Sequence, residues 1–95
     1  MRILYLITRQ FQILLTVKTM AGQGFSNGEI AGKAGAPEWA VRTKYRRQCK
    51  YFSVDRLIAA LGDGARYEEA VKTGRLEEKL AVEMMILTYA KKEKE

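Results

Sequence analysis

Apolar side chains recur at intervals of three and four residues along most of this sequence, a spacing that fits one face of an α-helix. The first segment shows it at Ile7, Phe11 and Leu14. No segment alternates apolar and polar residues between turn residues, as the strands of a sheet do. The 95 residues suffice for one small core. We therefore predict an all-α single domain over residues 3–90, followed by a frayed charged tail at 91–95.

Turn and capping residues divide the pattern into five predicted helices. The first covers residues 1–21, and because no capping residue precedes it, we expect the chain to be part of a longer one. Ser26 followed by Glu29 is a capping-box pattern that opens a short second helix, and Gly35 ends that helix. Pro37 suits the first turn of the third helix, where a missing backbone amide costs nothing.

The fourth and fifth helices complete the predicted bundle. Ser53 caps the fourth helix, and each of two glycines in its middle, Gly62 and Gly64, costs about 1 kcal/mol relative to alanine, so the pattern allows a break there. The fifth helix carries two apolar rows, of which we expect the first to face inward. The rows are Leu76, Leu80, Met84 and Leu87, and Val82, Met85, Ile86 and Tyr89.

The apolar sectors of the first and last helices are wider than a single neighbouring helix needs. A second apolar row on the first helix includes Leu6 and Ile13. We predict that these two side chains, together with Val82 and Tyr89 of the last helix, belong to an apolar surface that is left for another subunit.

Positive charge is concentrated in the first half of the chain, and the net charge is +6. Such a field attracts polyanionic or acidic partners. Five cations without an acid lie between residues 42 and 50, opposite the apolar stripe of the third helix. A face of this kind is usually only solvated, but Trp39 on the polar side is typical of an interface, unless a neighbouring helix buries it. The candidates for subunit or DNA contact are Trp39, Arg42, Arg46, Arg47 and Lys50.

The spacing of Ala31, Gly35 and Val41 is that of two helices packed around a tight turn, as in a helix-turn-helix over residues 27–52. Lys44 departs from this pattern, because a DNA-binding helix-turn-helix places an apolar core residue there. Two interpretations stay open, a base-reading pair and a packing unit without base contacts. The face that would read the major groove comprises Glu38, Trp39, Arg42, Thr43 and Arg46.

Three charged residues fall where the helical period predicts core positions: Lys18, Glu68 and Glu83. A catalytic acid–base pair is one interpretation, but no nucleophile or metal ligand accompanies the two carboxylates. Lys72 follows Glu68 by one helical turn, in the favourable order of acid before base. We therefore predict a structural ion-pair cluster formed by Lys18, Glu68, Lys72 and Glu83.

The residue types that common catalytic and metal sites need are missing. The chain has no histidine and a single cysteine, Cys49, which excludes a disulfide framework, a zinc site, and Ser-His or Cys-His catalysis. We predict no catalytic, cofactor or metal site and no small-molecule substrate, and hence no enzyme. No apolar run is long enough for a membrane span or a signal peptide, so we expect a cytoplasmic protein without a membrane partner.

With the helices placed, a series of short motifs occurs in a fixed order along the chain. These are Arg9-Gln10-Phe11, Leu14-Leu15, Glu29-Ile30-Ala31, Pro37, Phe52-Ser53, Glu68-x-x-x-Lys72-Thr73-Gly74 and Leu80-Ala81-Val82-Glu83. In this order they resemble the C-terminal domain of the bacterial DNA polymerase III delta subunit, which is a clamp-loader component, over about residues 3–87. Two positions depart, because the family usually has aspartate where Glu68 stands and a bulky apolar residue where Gly64 stands.

The resemblance implies a five-helix bundle of the clamp-loader collar type with no catalysis of its own. It implies an oligomerisation domain that assembles with delta-prime and gamma/tau subunits for loading the sliding clamp in DNA replication, with non-specific DNA contact as a further expectation. The alternative is a small helix-turn-helix transcription regulator that binds DNA through the basic helix at residues 37–52.

Overall fold

The computed structural model describes residues 2–89, and within that range the chain forms five helices and no strand. The predicted all-α, five-helix fold is confirmed. The tail predicted at 91–95 lies outside the described residues. The helices are α1 (Arg2–Gly22), α2 (Asn27–Ala34), α3 (residues 38–51), α4 (Val54–Lys72) and α5 (Glu78–Tyr89).

α1 is the central helix, because it contacts all four others and shares its largest interface with α4. Its side chains Leu4 and Val17 are completely buried. The ring of Phe11 lies edge-on to Phe52 and Tyr89, with centroid distances of 5.9 and 5.7 Å. These contacts join α1 to the start of α4 and the end of α5 in one core.

Glu78 links the first turn of α1 to the start of α5. Its carboxylate accepts a hydrogen bond from the backbone N–H of Leu4 at 3.4 Å. The free N–H groups of a first helical turn need acceptors. A residue 74 positions further along the chain supplies one here.

α2 and α3 pack around a tight turn, as the spacing predicts. Gly35 adopts the left-handed conformation with φ of 70°, and Ala31 and Val41 are buried on either side of the turn. The predicted capping box is confirmed, since Ser26 and Glu29 each accept a hydrogen bond from the other's backbone N–H. Hydrogen bonds from the Ser26 backbone and side chain lower the pKa of the Glu29 carboxyl. The stability this carboxylate contributes is therefore present above its ordinary pKa and is lost as the pH falls through the lowered value.

We expect Ser26→Ala to lower the free energy of unfolding by about 1 kcal/mol, because the Glu29 amide loses its acceptor. Urea denaturation at neutral pH measures this loss. Ser26→Thr is the matched control, since it keeps a hydroxyl at the cap and should recover most of the stability. Equal losses in both variants would contradict a capping role for the hydroxyl.

α3 changes its winding along its length. A π-helical turn at Val41–Tyr45 follows the α-helical start, and its hydrogen bond runs from the Arg46 N–H to the Val41 carbonyl. A 3-10 turn at Cys49–Tyr51 ends the helix. The predicted apolar stripe is still buried at Val41, Tyr45 and Cys49, so the basic residues face away from the core.

α4 is one continuous helix, without the break that Gly62 and Gly64 allow. Gly64 is buried where α4 crosses α1. A Cβ atom at this position would lie 2.6 Å from the Thr8 Oγ1, a distance that real Cβ atoms essentially never show, and 3.1 Å from the Thr8 Cγ2, which is tighter than most Cβ contacts. A glycine is therefore needed here for the close approach of two helices, in place of the bulky residue usual in the resembling family.

The predicted orientation of α5 is wrong. Its buried row is Ala81, Met85 and Tyr89, whereas Leu80 is 45% exposed and Leu87 is 82% exposed. The physical reason is that α5 is apolar on most of its circumference, so the period of the pattern cannot select a face. Specific contacts of Tyr89 favour the observed one.

Tyr89 makes polar contacts in addition to its ring contact with Phe11. Its hydroxyl donates a hydrogen bond to the Asp63 carboxylate, and the Arg56 guanidinium lies 5.3 Å from its ring centroid. Arg56 also donates to the carbonyl of Thr88 at 2.6 Å, in the last turn of α5. A leucine could not make these contacts.

The prediction of a buried ion-pair cluster is also wrong, because no charged side chain is buried in the part of the chain that the structure describes. The observed rotation of α5 places Glu83 in solvent, and Lys72 is exposed too. Glu68 is only half-buried. The Lys18 ammonium donates instead to the Cys49 carbonyl at 3.2 Å.

Candidate functional site

A groove of about 660 Å³ runs between the last turns of α1 and the polar face of α3. Four of the five predicted contact residues line it, all of them from α3. Lys18 contributes a fifth cation from the facing wall. The cations that converge on this basic groove are Lys18, Arg42, Arg46, Arg47 and Lys50.

Two of these cations are held in place by hydrogen bonds. The Arg46 Nε donates to the Asn27 Oδ1 at 2.5 Å, and its guanidinium also reaches the Phe25 carbonyl at 3.3 Å. Lys18 is held by the carbonyl of Cys49. The groove is therefore built by contacts between three helices rather than by α3 alone.

The other three cations are more exposed. Arg42 forms an ion pair with Glu38 at 3.2 Å, one turn earlier in α3. Arg47 and Lys50 are exposed, and no carboxylate of residues 2–89 pairs with either. Two positive charges are thus available to an anion from outside.

Cys49 lies at the base of the basic groove and is buried. Burial raises the pKa of its thiol, and the positive charges of Lys18, Arg46 and Lys50 oppose this rise only in part. The thiol is therefore protonated at neutral pH and is a poor nucleophile. Three of the five groove cations therefore influence the Cys49 thiol.

Trp39 is 60% exposed, so a neighbouring helix does not bury it. It does not line the basic groove. Of the side chains that a base-reading helix would use, Arg42 and Arg46 are already bonded within the chain. The Thr43 hydroxyl donates to the Trp39 carbonyl at 2.7 Å. This arrangement leaves few free groups for reading bases.

Lys18 lines the groove, although the sequence predicts it in an ion-pair cluster with Glu68, Lys72 and Glu83. Lys18 is half-buried, which agrees with its predicted position on the apolar face of the first helix. The signal that could have identified it is the position of Lys18 one turn before the end of α1, where α3 folds back against α1.

Exposed apolar side chains on α1, α4 and α5, three helices that pack against one another, are candidates for a second surface. Two of the four residues predicted for such a surface are buried, because Ile13 packs into the core and Tyr89 packs against Phe11. Leu6 is 50% exposed, and Val82 is half-buried. We call these exposed residues the apolar flank; they are Ile3, Tyr5, Leu6, Val54, Ile58, Leu80, Ile86 and Leu87.

Neither surface offers a metal site. Within residues 2–89, no three histidine, cysteine or carboxylate side chains come together in a way that could hold an ion. A search of the same residues for a helix of sufficient length and apolarity to cross a bilayer also gave none.

Comparison with protein families gives a match over nearly the whole chain. The family model described as the C-terminal domain of the DNA polymerase III delta subunit matches residues 1–89. Comparisons with curated proteins and with solved structures gave no match.

Proposed function

This chain belongs to the family formed by the C-terminal domain of the DNA polymerase III delta subunit, and on that premise we propose that it is a clamp-loader assembly domain. It joins delta-prime and gamma/tau subunits through its helices and performs no catalysis of its own. Its place of action is the cytoplasm, where the assembled complex loads the sliding clamp onto DNA. The family match over almost the entire chain supports the clamp-loader role.

The exposed row of α5 is the observation that carries the assembly role. Leu80 and Leu87 are two turns apart and therefore lie on the same side of the helix. The opposite row of α5 already packs into the core. Covering one leucine side chain contributes about 1.5–3 kcal/mol, so two in one row can anchor an interface.

The beginning of α1 extends the apolar flank to a second helix. Ile3 and Leu6 are both at least half exposed and are three residues apart, so they share one side of α1. Scattered exposed leucines are ordinary in a monomer. Paired rows on helices that pack together are more typical of a surface that a partner protein covers.

We expect the double variant Leu80→Glu and Leu87→Glu to weaken association with gamma/tau and delta-prime subunits at least about tenfold, because each glutamate would be desolvated in the interface. Isothermal titration calorimetry and light scattering on the mixed subunits measure this effect. The thermal melting of the isolated chain should change little, since neither side chain belongs to the buried core.

Gln12→Glu combined with Gln23→Glu is the control for the two added negative charges, because both glutamines are exposed and lie outside the apolar flank. It should leave association intact. Unchanged association of the leucine variant would contradict the assembly role of α5, and absence of any complex with the unmodified chain would contradict the proposed function itself.

The alternative, a sequence-specific helix-turn-helix regulator, has less support. Arg42 and Arg46 are occupied by Glu38 and Asn27 and are not free for bidentate contacts to bases. Glu38 also opens α3 at the end where a DNA phosphate would approach. Discrimination of more than about 1 kcal/mol between duplexes that differ by one base pair would favour this alternative.

A further inference from the structure

We propose that the basic groove binds the sugar–phosphate backbone of a nucleic acid through charge, without reading base sequence. This role is separate from subunit assembly, because no residue of the apolar flank lines the groove. The charge, the extent and the fixed geometry of the groove each support it.

The charge of the groove is uniformly positive. Five cations line it, and no carboxylate does. In the part of the chain that the structure describes, Arg42 alone of these cations has an acidic partner, Glu38, which itself lies outside the lining. Cations held close together repel one another, and an anion between them removes that repulsion. The hydrogen bonds that Lys18 and Arg46 donate hold these two cations in the converging arrangement.

The extent of the groove suits a polymer. Arg42 and Lys50 are eight residues apart on α3, which corresponds to about 12 Å along a helix axis. Each strand of duplex DNA carries a phosphate roughly every 3.4 Å along the helix axis, so this distance spans about three intervals between successive phosphates. A single small anion would contact only part of such a groove. A regularly charged polymer fits its length.

The geometry of the arginines favours phosphate contact over base recognition. Two of the three arginines of the groove, Arg42 and Arg46, are bonded within the chain, so they are not free for the bidentate contacts by which a guanidinium reads a base. Among residues 2–89 neither Arg47 nor Lys50 has an acidic partner, and a phosphate contact requires of them only a positive charge. We therefore expect similar affinity for unrelated base sequences.

The test uses the whole chain and a fluorescently labelled 20-nucleotide DNA, single-stranded in one arm and duplex in the other, with salt varied from 50 to 200 mM. Arg47→Ala combined with Lys50→Ala should raise the Kd at 50 mM salt at least about tenfold and reduce the slope of log Kd against log salt by about 2. Both residues are exposed, so the fold should be unaffected.

Lys33→Ala combined with Lys44→Ala is the matched control. It removes the same charge from exposed positions outside the groove, on α2 and α3. Its Kd should change less than about threefold, as expected for diffuse charge alone. The groove variant should also retain association with partner subunits, which separates this test from that of the assembly role.

The proposal is supported if either DNA form binds and the groove variant alone loses that binding. The form with the lower Kd shows whether the groove prefers the backbone of single-stranded or of duplex DNA. Three results would overturn it: equal weakening by groove and control variants, absence of DNA binding at 50 mM salt, or tighter binding of a polyglutamate peptide than of DNA. The last result would identify an acidic protein partner.

Discussion

Replacing Met85 by alanine is expected to lower the free energy of unfolding by about 2–5 kcal/mol, because it leaves a cavity in a packed core. Met85 is 1% exposed on the inner row of α5. The same replacement at Leu87, which is 82% exposed, should change stability by less than about 0.5 kcal/mol. Urea denaturation of the isolated chain, analysed with a common m-value, measures both changes.

These two variants form a pair with opposite expectations. The apolar pattern of the sequence predicts that Leu87 faces inward, whereas the structure places Met85 there. A larger loss at Leu87 than at Met85 would therefore show that α5 presents its other row to the core. The pair also serves as a control for the Leu80→Glu and Leu87→Glu association experiment. That experiment is informative only if the replaced side chains have no role in folding.

The second large effect concerns the crossing of α1 and α4. We expect Gly64→Ala to destabilise the chain by about 1–2 kcal/mol, although alanine is the better helix former by about 1 kcal/mol. The added Cβ would meet both γ atoms of Thr8, and the hydroxyl among them is hydrogen-bonded to the Leu4 carbonyl. Gly62→Ala is the control, because its Cβ would meet only the end of the Arg66 side chain at 3.8 Å, and it should stabilise by about 1 kcal/mol.

The Gly64→Ala substitution is then made in a Thr8→Ala variant. Thr8→Ala removes the Oγ1 and Cγ2 atoms that the new Cβ would meet. In that background, Gly64→Ala should no longer destabilise the chain. The coupling between the two sites should be at least about 1 kcal/mol in a double-mutant cycle measured by thermal denaturation. Additive effects would show that close packing against Thr8 is not the reason for a glycine at position 64.

Local signals made most of the helix boundaries predictable. Ser26, Gly35 and Ser53 act on amides and carbonyls within a few residues, so their effect can be read from neighbouring positions in the sequence. The buried stripe of α3 was predictable for the same reason, despite the π-helical turn at Val41–Tyr45. The family resemblance used the same local order of motifs and is confirmed.

Orientation depends on the rest of the fold and was less predictable. α5 has apolar residues on both sides, and the choice between them depends on Phe11, Asp63 and Arg56, which lie in other helices. The composition of the basic groove could likewise be predicted only in part from the sequence. Its α3 residues share a face by spacing alone, but Lys18 joins them only because α1 and α3 pack together.

The hydrogen bond from Leu4 to Glu78 joins two residues at nearly opposite ends of the domain. A nascent chain emerging from the ribosome exposes the first turn of α1 long before its acceptor has been synthesised. Closing a loop of this length carries an entropic cost that local helix formation does not. The first turn of α1 is synthesised before the rest of the domain, and we expect its hydrogen bond to Glu78 to form only after α5 has been made.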